Sequence, residues 1–236
     1  MLWIEKTLAM DEQKCLDPLG IEVAHPHITE SDIVFLGCSY TSGEGVFRNS
    51  RYSSIVAEQL DKQEINLAKG GCGNYRSFDV FGQLNIDNNA TVILQLTELS
   101  RIRWYTDSIY ERQLSNPAND DYHRSLLTVY HDKFLIHDLI RQLRIIVNYC
   151  RAKDLKLVIW SIARFNNQEL DTAIETYLSK FPEYVFLDNR LNTPDSYRVD
   201  NGTDGRNRPL GTGHPGPESH KLIAEKLVKH FNKLYL

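Results

Sequence analysis

Three short stretches of this 236-residue chain hold residue types that can do covalent chemistry together. Gly37-Cys-Ser-Tyr-Thr-Ser-Gly43 offers the hydroxyl of Ser39. Gly70-Gly-Cys-Gly73 offers a backbone N–H at Gly71, and Gly211-Thr-Gly-His-Pro-Gly216 offers the imidazole of His214. A serine activated by a histidine, with N–H groups facing an oxygen that gains negative charge, is the equipment of acyl transfer. Each part alone says little. Most serines at turns only hydrogen-bond the backbone. The run from Gly37 to Thr41 departs from the GxSxG elbow because its fifth residue is threonine, and it lacks the Gly-Lys pair of a phosphate-binding loop. Cys38 alternates away from Ser39, and it and Cys72 read as small buried residues rather than nucleophiles.

The elements that must position these residues follow from periodicity. Ile33 to Leu36 is an apolar run suited to a buried strand, so Ser39 falls at the carboxyl end of a strand, where open α/β sheets bind ligands. A helix is expected over Ser50 to Lys62, a strand over Glu64 to Ala68, and a helix bearing Phe78, Phe81 and Leu84 after the glycine turn. Thr91 to Leu96 reads as a second buried strand. Asp107 to Asp121 is polar, holds Pro117 and is expected to be a loop or lid. A long helix ends near Ala152, with Ile136, Leu139, Ile140, Leu143, Ile146 and Val147 as its apolar stripe. Leu155 to Trp160, Gln168 to Lys180 and Tyr184 to Leu187 read as strand, helix and strand. Asp188 to Gly213 lacks apolar periodicity and is expected to be a long functional loop. A last helix runs from Pro217 to Leu234. Five strands alternating with helices predict a three-layer α/β/α domain around a central, mainly parallel five-stranded sheet. The most apolar strands, Ile33–Leu36 and Val92–Leu96, belong near its middle. Residues 1–31 form an N-terminal arm packed on a single domain spanning 32–236.

Composition excludes several classes. The chain is 42% hydrophobic and 25% charged, with a net charge of -4, as for an ordinary globular domain. No basic stripe with interleaved aromatics points to nucleic acid. Four cysteines without a CxxC pair indicate neither a zinc site nor a disulfide framework. His25-Pro-His27 has no third ligand at a sensible spacing. No signal peptide or membrane-length apolar run is seen, so a cytoplasmic protein without a cofactor is the expectation.

In these blocks the chain resembles the SGNH/GDSL hydrolases. Gly37-Cys-Ser39 looks like that family's Gly-Asp-Ser block with cysteine for aspartate. Asn66 followed five residues later by Gly71 resembles the second block, and Gly213-His-Pro-Gly-Pro-Glu-Ser-His220 resembles the His-Pro-Gly signature that opens the last helix. The blocks fall in family order between about residues 32 and 230. The resemblance implies Ser39 as nucleophile, His214 as general base, and the N–H groups of Ser39 and Gly71 as oxyanion donors. Members hydrolyse esters and thioesters, including acetyl groups on sugars. A small-molecule ester is therefore the expected partner.

Two departures shape the expectation. The family's third block supplies an asparagine donor, whose place here falls near Leu99. Thr97 is the first substitute by position, with Arg101 and Asn74 behind it; Asn74, Arg101, Trp104 and Tyr105 are candidate substrate contacts, the two aromatics as a wall. The family also places an aspartate just before the histidine, where this chain has Gly211 and Thr212. Asp204 or Asp200 is a candidate relocated acid, and a backbone carbonyl on the imidazole, giving a Ser-His dyad, is the alternative. Glu44 is a candidate pocket-lining residue. The expected function is a serine hydrolase of weak activity on a small ester; the alternative is a binding or structural protein on the same fold.

Overall fold

The computed structural model describes residues 27–97, 99, 101, 103–105, 109–111, 132–161, 172–173, 176–177, 179–180, 185–186, 203–204, 208–209 and 214–236. Of the arm, residues 1–26 lie outside these, and Ile28 is buried and bridges in parallel to Ile86.

The chain runs β1 (Asp32–Leu36), α1 (Ser39–Ser42), a short 3-10 turn (Arg48–Ser50), α2 (Tyr52–Gln59), β2 (Gln63–Asn66), α3 (Asn74–Gln83) and β3 (Thr91–Leu96). It continues with β4 (Arg103–Tyr105), β5 (Ile109–Glu111), α4 (Asp132–Ala152), β6 (Lys156–Ser161), β7 (Val185–Phe186), β8 (Thr203–Asp204), β9 (Arg208–Pro209) and α5 (Pro217–Tyr235). Five strands pair in the order β2-β1-β3-β6-β7, all in parallel. β1 and β3 lie inside the sheet with every residue buried, because their runs of Ile, Val, Phe and Leu need apolar cover on both faces.

Alternation along the strands divides the core in two. Ile33, Phe35, Ile93, Val158 and Trp160 pack against Tyr52 and Val56 of α2 and against Ile223, Leu227 and Phe231 of α5. Val34, Leu36, Val92, Leu94 and Ile159 pack on the other face against Phe78 and Phe81 of α3 and Leu139, Leu143 and Val147 of α4. Each such side chain stabilises the fold by about 1.5–3 kcal/mol on burial. This is the expected α/β/α sandwich, with the three site stretches all following sheet strands or opening the final helix.

Two expected loops contain strands. β5 pairs antiparallel with β4, Tyr110 opposite Trp104, so Ile109–Glu111 of the Asp107–Asp121 stretch is a strand. Aromatic and β-branched residues at 104, 105, 109 and 110 favour that pairing over the polarity of their neighbours. Likewise β8 pairs antiparallel with β9 within the stretch read as irregular from Asp188 to Gly213. Among the described residues no helix is long and apolar enough to cross a membrane.

Candidate active site

The backbone turns out of β1 at Gly37. A Cβ at this position would stand 2.4 Å from Thr41 Oγ1 and 2.5 Å from Gln95 Oε1, both buried. Only glycine lets the turn close so tightly. Gly37→Ala is expected to lower stability by about 1–3 kcal/mol through overpacking, read as a lower urea midpoint at unchanged slope. An unchanged midpoint would mean that the turn yields without strain.

Cys38 then precedes α1, a single turn whose first residue is Ser39. Ser39 O accepts the N–H groups of Gly43 and Glu44, each at 3.0 Å, which closes the turn. Gln95 of β3 braces it from below: Oε1 accepts the Cys38 N–H at 3.1 Å and the Thr41 hydroxyl at 2.5 Å. Tyr52 OH lies 2.7 Å from the same hydroxyl. Burial, the largest influence, holds the Tyr52 phenol well above its ordinary range, so it remains a neutral donor. Asn66, at the end of β2, donates from Nδ2 to Thr41 O at 2.6 Å and to Ser53 Oγ at 2.9 Å. Arg51 donates to Ser42 O at 3.3 Å. The serine turn is thus held by β2, β3 and α2 together.

Ser39 is 5% exposed, and its hydroxyl meets Cys38 Sγ at 3.9 Å. Gly71 has φ +73°, a left-handed conformation suited to glycine, with open space where a side chain would stand. His214 lies just ahead of α5. Its ring is tilted against Tyr40, the neighbour of Ser39, with centroids 5.9 Å apart, and its Nε2 lies 3.3 Å from Glu44 Oε2. Glu44 also lies on the glycine turn: a Cβ on Gly70 would come within 1.5 Å of Glu44 Oε1. Serine turn, glycine turn and histidine therefore converge, with Glu44 touching all three.

The remaining candidates sort by their contacts. Asn74 is engaged with Thr97. Its Oδ1 accepts the Thr97 N–H at 2.8 Å and its Nδ2 donates to Thr97 O at 3.0 Å, which ties α3 to the end of β3. Thr97 is 2% exposed, and its Oγ1 meets no hydrogen-bond partner among the described residues. Arg101 donates from Nη1 to Cys72 O at 3.3 Å, and its backbone runs against Gly73, where a Cβ would meet Arg101 O at 2.3 Å. Leu99, at the place of the family asparagine, packs on the apolar core. Trp104 and Tyr105 lie on β4 and Asp204 on β8, their side chains outside the described residues, as is all of Asp200.

Cys38, Cys72 and Cys150 are buried free thiols; burial pushes Cys150 up to about 12, which suits a packing role. A separate groove of about 550 Å³, lined by Phe47, Arg48, Ser54, Ala57, Glu58 and Lys62 among others, includes neither Ser39 nor His214.

Sequence reasoning missed Gln95 as an organiser. Its signal was there: a glutamine inside a fully buried apolar strand needs hydrogen-bond partners.

No protein-family model matches the sequence, and no curated protein matches it by sequence. Solved structures do match by fold. An acetyl xylan esterase (Est2A) from Butyrivibrio proteoclasticus aligns with TM-score 0.52 at 16% identity, over 91% of this chain and 66% of the other. A carbohydrate esterase described as having divergent catalytic and non-catalytic binding functions gives 0.55 at 14%, over 92% and 69%. A carbohydrate esterase family 2 enzyme from Corynascus thermopiles (Myceliophthora fergusii) gives 0.50 at 13%, over 91% and 68%. The chain spans about two thirds of the length of these esterases. It shares the fold of these esterases, a parallel sheet between layers of helices.

Proposed function

We propose that the protein is a serine ester hydrolase acting on a small ester, an acyl group on a carbohydrate being the favoured substrate class. The observation that carries this reading is the seating of His214 against Tyr40 and Glu44 of the serine turn, beside the Gly70-Gly71 turn. The likeness of fold to carbohydrate esterases supports the substrate class.

In this reading Ser39 Oγ attacks the ester carbonyl carbon as its proton passes to the His214 imidazole. The carbonyl electron pair moves onto oxygen, which the N–H groups of Ser39 and Gly71 and the hydroxyl of Thr97 stabilise. Collapse expels the alcohol, which takes the proton from His214. Water then repeats the sequence on the acyl-enzyme and releases the acid. Asn74, with its amide on Thr97, serves as a brace rather than a substrate contact.

A second reading, a binding protein on the same fold, is favoured by Leu99 in place of a donor and by a Ser39 hydroxyl that faces Cys38 Sγ. A fluorophosphonate probe separates the two. A serine activated by a histidine is labelled stoichiometrically, and labelling stops in Ser39→Ala. Absence of labelling in the folded parent would overturn the hydrolase reading in favour of the binder.

A further inference from the structure

The aspartate that the family resemblance places ahead of the histidine is missing, and a different carboxylate stands at the ring. We propose that Glu44 is the acid partner of His214, a positioning residue carried on the serine turn itself. Its role in turnover rests on the hydrolase reading above; its pairing with the ring does not.

Glu44 is fixed by its backbone first. Its N–H donates to Ser39 O, so it follows the nucleophile by one helical turn and moves with it. Gly43 precedes it in the left-handed conformation, φ +81°, and Gly45 follows at φ +93°. These two glycines turn the chain sharply on either side of Glu44. The side chain then lies over Gly70, in space that exists only because residue 70 has no Cβ. This places Oε2 3.3 Å from His214 Nε2, while Tyr40 abuts the ring. The imidazole is thus held between an aromatic ring and a carboxylate of the same turn. The His214 side chain is only 15% exposed, and that of Glu44 is 48% exposed, so water reaches one side of the pair.

The contact has a chemical consequence. A carboxylate only accepts hydrogen bonds, so the proposal requires His214 to carry its hydrogen on Nε2, toward Glu44, and to take the Ser39 proton on Nδ1. The imidazolium so formed keeps Nε2–H on Glu44, whose negative charge offsets it. The arrangement works as an aspartate does behind the imidazole of a serine triad, with the acid drawn from the other side of the site.

Two measurements decide this. Glu44→Gln keeps shape and removes charge; because the residue is half-exposed, the variant folds. Its kcat for an aryl acetate should fall by about 10–100-fold with KM nearly unchanged, less than the ~10⁴ seen for a buried triad acid, since water screens this pair. Gly70→Ala, which displaces the carboxylate without deleting it, should lower kcat in the same direction. Long-range ¹H–¹⁵N correlation, with His214 assigned by difference from His214→Ala, should find the neutral ring in the Nε2–H form. Glu44→Ala should lose that preference. A parent that is labelled at Ser39 while Glu44→Gln keeps or exceeds its rate would overturn Glu44 and leave the hydrolase reading intact. A parent that is not labelled removes the hydrolase reading, and the tautomer then decides the pairing alone. An Nδ1–H ring in the parent would overturn it.

Discussion

Ser39→Ala is expected to reduce hydrolysis of an aryl acetate to the background rate, and His214→Ala to do nearly the same, each at matched folded concentration. In a complete serine-protease triad, loss of the serine or histidine costs about 10⁶ in kcat. Here Leu99 stands where the family's asparagine donor falls and the Thr97 hydroxyl is a weaker substitute for it, and an oxyanion donor typically accounts for about 10²–10³. The expected fall is therefore about 10³–10⁴. The effects should not multiply in the double variant, because nucleophile and base act as one unit. Exposed histidines or lysines can cleave an activated ester without a site, which is why the comparison must be between variants. If both keep the parent rate, the activity is nonspecific and the binding-protein reading replaces the hydrolase.

The largest stability effect is expected at the ion pair behind the serine turn. Arg51 Nε and Nη2 meet the two oxygens of Glu64, each at 3.0 Å, with side chains 10% and 2% exposed. Ser54 Oγ adds a bond at 2.9 Å, and Arg48 lies 3.5 Å away. Removing one partner of such a buried pair costs about 3–5 kcal/mol because the other charge stays buried. Arg51→Ala should fall at the lower end, since Arg48 remains. It should also slow Ser39 labelling, because Arg51 holds Ser42 O as well.

The same pair sets a pH dependence. Burial alone would raise the Glu64 carboxyl. The hydrogen bonds and charge of Arg51, with the Ser53 and Ser54 hydroxyls, outweigh burial and hold it below its ordinary value. The unfolded chain therefore binds a proton at Glu64 more readily than the folded one. The stabilisation is fully present above the ordinary carboxylate range, near pH 4.3, and is lost as pH falls through the folded value. Urea midpoints measured from pH 7 to 3 should show this loss in the parent and a shallower one in Glu64→Gln. Parallel profiles would mean that Glu64 is not a source of acid sensitivity.

The sequence alone determined the layers of this protein and the order of its site blocks. Val92, Ile93 and Leu94 are apolar on both faces of a strand, and such a run has few places to go but the inside of a parallel sheet. The stripe from Ile136 to Val147 likewise specified a helix with one buried face. Ser39, Gly71 and His214 could be singled out as candidates because short glycine-flanked blocks at strand ends and a helix start constrain local backbone, which is a property of neighbours in sequence. What tertiary structure decided was partnership across distance. Glu44 and His214 are 170 positions apart, and nothing in the type of either says that they meet. Gln95 reads as a polar oddity until the β1–β3 register, Leu36 beside Leu94, brings it beneath Cys38. Asn74 looked free to bind a ligand until the end of β3 came within reach of its amide. Strand β5 and the β8–β9 pair lay within stretches whose polarity hid their pairing. Hydrophobic periodicity reports what each residue does with water; it carries no record of which buried donor will find which acceptor. That choice is made by the packing of the strands and helices, and it decides how the serine turn is held and which carboxylate reaches the histidine.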